Sequence, residues 1–186
     1  MPRPSKSSPD KSPVKGQFTV IGEDVSFGDG SCVWNLVYIG SRVTIGPSVT
    51  IGFLVHIGSD VTIGKGTLIE GGAYIPDLTR IGQNYFIGPN VTVTNDPFPP
   101  IRRSTGTRAW VPVDIGDDAI IGAGASLRAG ITVGTRAVIG MGAVVIADVP
   151  EETVVAGNPA RPLFTREEYD RKQRDFAASK EGKIRD

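Results

Sequence analysis

The chain has 186 residues with 20 basic and 20 acidic side chains, so its net charge is zero. That length suits one domain able to bury a core without staples. The balanced charge gives no long-range field favouring nucleic acid or an acidic membrane surface. The only cysteine, Cys32, excludes a disulfide framework within one chain and a multi-cysteine zinc site, and a reducing cytoplasm is the simplest compartment. Residues 1–17, rich in Pro, Ser and Lys, lack the apolar stretch of a secretory signal and read as a flexible arm. No apolar run approaches the ~20 residues of a membrane span.

Glycine is the compositional outlier, with 24 residues, about twice ordinary usage. From Ile21 an apolar residue recurs at every sixth position, through Phe27, Val33, Ile39, Ile45, Ile51, Ile57 and onward to Val93. The series breaks, then resumes at Ile115, Ile121, Leu127, Val133, Ile139 and Val145. Glycine usually follows the anchor, and a small or β-branched residue such as Val43, Val55, Ala73 or Ala125 stands four positions on. A helix cannot use this period, because successive anchors would rotate away from one another. A short strand plus a tight corner can use it, with the anchor inside and glycine accepting the turn dihedrals. Three such units close a triangular coil, and stacked coils bury a continuous aliphatic ladder.

The pattern predicts a β-helical domain over 18–163, interrupted by a loop over about 95–113. That loop opens with Asn95-Asp96-Pro97-Phe98-Pro99-Pro100 and carries Arg102, Arg103, Arg108 and Trp110. Polar excursions from a rigid scaffold are where binding groups concentrate. After Leu163, Thr165-Arg166-Glu167-Glu168 fits a capping box, so a helix and tail are expected over 164–186. Positions eighteen apart stack on adjacent coils, and the residue before each anchor points outward. Tyr38, His56, Tyr74 and Thr92 should therefore form one outward column, with Asn35 at a corner of the same face. An outward Tyr-His-Tyr stack suits an interface or a ligand cleft. His56, the only histidine, is either an interface residue or a general base. Asn95-Asp96-Pro97 is equally readable as a turn starter.

The run [Ile/Leu/Val]-Gly-x-x-[small]-x resembles the hexapeptide-repeat acyltransferases, over about residues 18–163. The resemblance implies an all-β fold: a left-handed parallel β-helix of hexapeptide repeats with one inserted loop and a short C-terminal α-helix. The stretch from Ile115 to Val145, Asp148-Val149-Pro150 and the closing Gly157-Asn158-Pro159-Ala160-Arg161 are similar to that family's acyl-CoA-binding half. By position, Ala123, Gly124, Met141 and Gly142 would meet acetyl-CoA through the backbone, and Arg161 would meet its phosphates. Arg161 also reads as a clamp for the last turn. Where many members carry Thr-Lys before Asp-Val-Pro, this chain has Ile146-Ala147.

Val33-Trp34-Asn35 and Val93-Thr94-Asn95-Asp96 are similar to the branch that acetylates amines of dTDP- or UDP-linked sugars. With that likeness the catalytic candidates are Asp96, His56 and Asn95, although the branch often carries Glu where His56 stands. Asn35, Tyr38, Tyr74, Arg102 and Arg103 would bind the sugar nucleotide. The family implies a cytoplasmic homotrimer with no nucleic-acid or membrane partner. One histidine cannot build the three-His zinc site of gamma-type carbonic anhydrases, which share the fold, so no metal is expected. Sugar O-acetyltransferases of this fold carry a histidine base where Asp96 stands, and a hydroxyl needs a stronger base than a free amine does. That favours N-acylation. Two alternatives stay open: O-acylation with His56 as base, and a non-enzymatic β-helical scaffold.

Overall fold

The computed structural model describes residues 13–98 and 110–180. The chain winds as a parallel β-helix of two-residue strands separated by four-residue corners. The first face begins with Val14–Lys15, Cys32–Val33 and Thr50–Ile51 and runs down to Val138–Ile139. The second face stacks Val20–Ile21, Tyr38–Ile39, His56–Ile57, Tyr74–Ile75, Thr92–Val93, Ser126–Leu127 and Val144–Val145. The third begins at Ser26–Phe27 and ends at Thr132–Val133. Strand pairing starts at Val14–Lys15 on Cys32–Val33, inside the segment read from sequence as an arm. The anchor period cannot see that rung, because its residues fall before the first anchor.

Each strand pairs with the one eighteen residues on, as Tyr38 does with His56 and His56 with Tyr74. Across the excursion the offset becomes 34, pairing Arg80 with Asp114, Phe86 with Ile120 and Thr92 with Ser126. The excess over eighteen is sixteen residues, which leave the coil and return in register. The departure is pinned where the Val111 amide donates to the Asn95 carbonyl at 2.8 Å.

The anchors fill the interior, with Ile39, Ile57, Ile75, Val93, Ile121 and Ile139 wholly inaccessible. Burying one such side chain contributes about 1.5–3 kcal/mol, which makes the ladder the main source of stability. The slot four positions after each anchor is also interior, holding Val43, Val49, Val55, Ala73 and Ala125. Tyr85 occupies one of these slots, buried, and its hydroxyl meets no partner among the described residues.

The glycine after each anchor does not do what the repeat suggested. Positive φ falls two residues later, at Leu36, Arg42, Leu54, Asp60 and their equivalents. The glycine is required by close approach between coils. A Cβ on Gly122 would lie 2.5 Å from the Met141 amide nitrogen, and one on Gly58 would run into Asp77. The absent side chain makes room for the next coil.

The first face is extended by Thr153–Ala156, on which Arg161–Thr165 folds back antiparallel. The helix Arg166–Lys180 follows directly. Its start is the expected capping box, with the Glu168 amide donating to Thr165 Oγ1 at 3.3 Å and the Thr165 amide to Glu168 Oε2 at 3.0 Å. Arg166 ties the helix to the coil. It donates to Asp170 at 2.7 Å and to the Asp118 and Arg136 carbonyls at 3.0 and 3.1 Å. No helix among the described residues is long and apolar enough to cross a membrane.

Candidate active site

Alternation along each strand turns the residue before the anchor outward, so the three faces differ in outward chemistry. The third face shows Ser26, Thr44, Thr62, Arg80, Asp114 and Thr132, a polar row. The second shows Tyr38, His56, Tyr74 and Thr92, the column expected from the period of eighteen, and continues to Ser126 and Val144. The rings of Tyr38 and His56 stack with centroids 4.7 Å apart and planes 12° apart, and His56 and Tyr74 repeat this at 4.7 Å and 14°. Coil spacing sets that distance. Burial between the tyrosines pushes the His56 pKa below its ordinary value, and the negative charge of Asp77 opposes the shift in part. The neutral form of His56 is therefore favoured.

The loop leaves from the corner that follows this face. Earlier coils build that corner from a ladder of side-chain caps: the Ser41 amide donates to Ser59 Oγ at 3.2 Å, and the Ser59 amide to Asp77 Oδ1 at 2.7 Å. Asn95 takes the next rung, and its Nδ2 donates to the Asp77 carbonyl at 3.3 Å. With its own carbonyl holding Val111, Asn95 roots the loop. Asp96 comes next, half-buried, with Oδ1 accepting from the Phe98 amide at 3.1 Å. The turn foreseen for Asn95-Asp96-Pro97 is thus present.

Asp96 also lines a cavity of about 320 Å³ beside Thr94, Ser126, Arg128, Val144 and Ile146. This cavity lies between the loop root and the two coils that follow the excursion. Across the second face from it stand Ala123, Gly124, Met141 and Gly142. Met141 is 81% exposed, and nothing lies within 4 Å of a Cβ built on Gly124 or Gly142. The Gly142 amide is spent on the Ala123 carbonyl at 2.8 Å, while the Ala123 and Met141 amides donate to nothing among the described residues. A larger cavity of about 860 Å³ on the third face is lined by the Asp148-Val149-Pro150 motif but by none of the residues proposed for catalysis or for binding. Its main charges are already matched, Arg80 to Asp114 at 2.9 Å and Asp148 to the Thr132 amide at 2.8 Å.

One chain does not bring every candidate together. Asn35 sits at the opposite corner of the second face, several coils above the cavity, where its Oδ1 accepts from the Gln17 amide at 2.9 Å. His56 lies two rungs above Thr92, about 10 Å along the column. Arg161 is exposed, and among the described residues its side chain donates only to the neighbouring Ala160 carbonyl at 2.9 Å. Arg102, Arg103 and Arg108 lie outside the described residues. Sequence reasoning passed over Arg128, although the offset of 34 from Thr94 is enough to place it beside the loop root.

Two repeat descriptions match the chain: "Bacterial transferase hexapeptide (six repeats)" over residues 43–77, and "Hexapeptide repeat of succinyl-transferase" over 106–147. Over those residues the coils carry hexapeptide repeats of the kind found in transferases. The chain is 39% identical over 85 residues to the galactoside O-acetyltransferase of Escherichia coli, covering 45% of this chain and 42% of that one. It is 41% identical over 68 residues to a 2,3,4,5-tetrahydropyridine-2,6-dicarboxylate N-acetyltransferase of Staphylococcus aureus, covering 37% and 28%. The chain spans about half or less of the length of the curated relatives it matches. Among solved structures, the hexapeptide-repeat acetyltransferase VCA0836 of Vibrio cholerae superposes with a TM-score of 0.55 at 26% identity, covering 79% of this chain and 73% of that one.

Proposed function

We propose that the protein transfers the acetyl group of acetyl-CoA to the amine of a nucleotide-linked amino sugar. The observation that carries this reading is Asp96, a carboxylate lining a cavity at the loop root beside the coils that hold Ala123 and Met141. The named relatives, all acetyltransferases, support acetyl transfer, and the galactoside enzyme supports a sugar acceptor. In the step itself the free amine attacks the thioester carbon. The N–C bond forms as the carbonyl electrons move onto oxygen; the Ala123 and Met141 amides, across the second face from Asp96 within one chain, would receive that oxyanion when supplied by a second copy. Collapse breaks the C–S bond and releases CoA thiolate, while Asp96 takes the proton from the ammonium and passes it to the thiolate. A carboxylate suffices here because the amine attacks without prior deprotonation, unlike a sugar hydroxyl.

The O-acylation alternative would use His56, whose neutral imidazole is a competent base. Its distance from the cavity and its enclosure between two tyrosines make it the weaker candidate within one chain. Both readings gain from a homotrimer, in which a second copy would complete the cavity. Trp34, Leu36, Phe53 and Leu54 leave 41–55% of their surface exposed along one corner, an apolar ridge suited to such contact. A cytoplasmic location fits both substrates. The test is turnover of acetyl-CoA with a panel of dTDP- and UDP-linked amino sugars. Asp96→Asn should lower kcat by about 10²–10⁴-fold, the range for loss of a general base. Unchanged kcat in Asp96→Asn would remove Asp96 from the chemistry. Acetylation of neutral hydroxyl sugars alone would replace N- with O-transfer.

A further inference from the structure

The coil arginines among the described residues differ in one respect. Arg42 is bound by Asp60 at 2.7 Å, Arg80 by Asp114 at 2.9 Å and Arg136 by Glu152 at 2.7 Å. Arg128 alone meets no carboxylate. Among the described residues its one side-chain bond runs from Nη1 to the Ile146 carbonyl at 3.4 Å, at the long edge of useful hydrogen bonding. By itself that describes a solvated side chain. Its position gives it more weight.

Thr92-Val93 pairs with Ser126-Leu127, so Thr94 and Arg128 stand on neighbouring coils at the corner where the loop departs. Arg128 and Asp96 consequently line the same cavity, yet they form no ion pair. Asp96 Oδ1 is turned back to the Phe98 amide of its own loop. A guanidinium and a carboxylate that share a small cavity without pairing leave both charges available to a ligand carrying both signs. A guanidinium meets phosphate through two parallel N–H donors, a fit an ammonium cannot reproduce. Both proposed substrates carry a diphosphate, and the amino sugar adds a cationic nitrogen that matches Asp96.

Resting on the acetyltransferase reading, we propose that Arg128 is the phosphate-recognition residue of this cavity, engaging a diphosphate while Asp96 faces the amine. The diphosphate belongs either to CoA or to the sugar nucleotide. Calorimetric titration of the full chain with acetyl-CoA, UDP and dTDP separates the two. The proteins compared are wild type, Arg128→Gln, Arg128→Lys and, as a control, Arg42→Gln, whose partner Asp60 lies away from the cavity.

Arg128→Gln should weaken one ligand class by about ten- to a hundredfold, the range for losing a charged hydrogen-bond partner. Arg128→Lys should recover part of the loss. The salt dependence of the affected ligand should flatten, and Arg42→Gln should match wild type. Weakened acetyl-CoA assigns the phosphate to CoA, and weakened UDP or dTDP assigns it to the acceptor. Wild-type affinity of Arg128→Gln for all three overturns the proposal while leaving the acetyltransferase reading intact. A wild-type protein that binds UDP or dTDP through Arg128 but never acetyl-CoA overturns the acetyltransferase reading instead and leaves the phosphate assignment standing. A wild-type protein that binds none of the three overturns both.

Discussion

Removing the hydroxyl of Tyr85 should make the protein more stable. The slot it fills is occupied by Val49, Thr67, Ala119 and Ala137 on other coils of the same face. Tyr85 is 2% exposed, and its oxygen has no hydrogen-bond partner among the described residues. An unsatisfied buried hydroxyl costs about 1–3 kcal/mol, whereas a phenyl ring of the same shape carries no such penalty. Tyr85→Phe should therefore gain about 1 kcal/mol, or about 2–4 °C in Tm for a domain of this size. The assay is reversible urea unfolding at fixed protein concentration, since self-association would shift the midpoint.

A second axis sharpens the same test. Burial pushes the Tyr85 pKa well above its ordinary value, which is about 10 in the unfolded chain. Above that pH the unfolded state loses a proton that the folded state keeps. Stability then falls with rising pH by up to about 1.4 kcal/mol per unit. Tyr85→Phe should remove that contribution, so its advantage over wild type grows above pH 10. A variant that is less stable than wild type, with an unchanged alkaline slope, would mean that the hydroxyl has a partner and would refute the reasoning.

His56 and Arg166 each give further expected outcomes. As the only histidine, His56 gives a single imidazole signal in proton NMR, and it should titrate below the ordinary value. Asp77→Asn should lower it further, because the Asp77 charge is what holds it up; an upward move would contradict the assigned causes. Arg166→Ala removes the bonds to Asp170, Asp118 and Arg136, so protease cleavage within 166–180 should accelerate several-fold while the coil stays protected. Asp170 is held below its ordinary pKa chiefly by Arg166, then by Arg136. In wild type this contribution is complete above the unfolded carboxylate value and is lost as pH falls through the lower folded one. Arg166→Ala should shift release of the helix to higher pH.

The fold was legible because one physical rule repeats: an apolar anchor every six residues forces a three-sided coil, and eighteen-residue stacking then places Tyr38, His56 and Tyr74 in contact. The capping box at Thr165 was legible because its bonds are local. The strand Arg161–Thr165 was not, since nothing in its pattern signals antiparallel return. The glycines were found but misread, because crowding between coils cannot be inferred from local turn chemistry. At the candidate site the sequence picked out Asp96, but it could not show that Asn95 spends its groups on Asp77 and Val111. Nor could it show that Arg128, unlike Arg42, Arg80 and Arg136, has no carboxylate partner among the described residues. Partner choice among charges depends on corner geometry that spacing does not encode.

The bond between the Val111 amide and the Asn95 carbonyl makes the coil blind to what lies between its two ends. The coils above and below meet in register whatever the intervening length, and doubling such a segment costs only about 0.6 kcal/mol of closure entropy. The rod therefore works as a socket for exchangeable inserts. A segment of another length or composition can be set at this corner with the aliphatic ladder inherited unchanged.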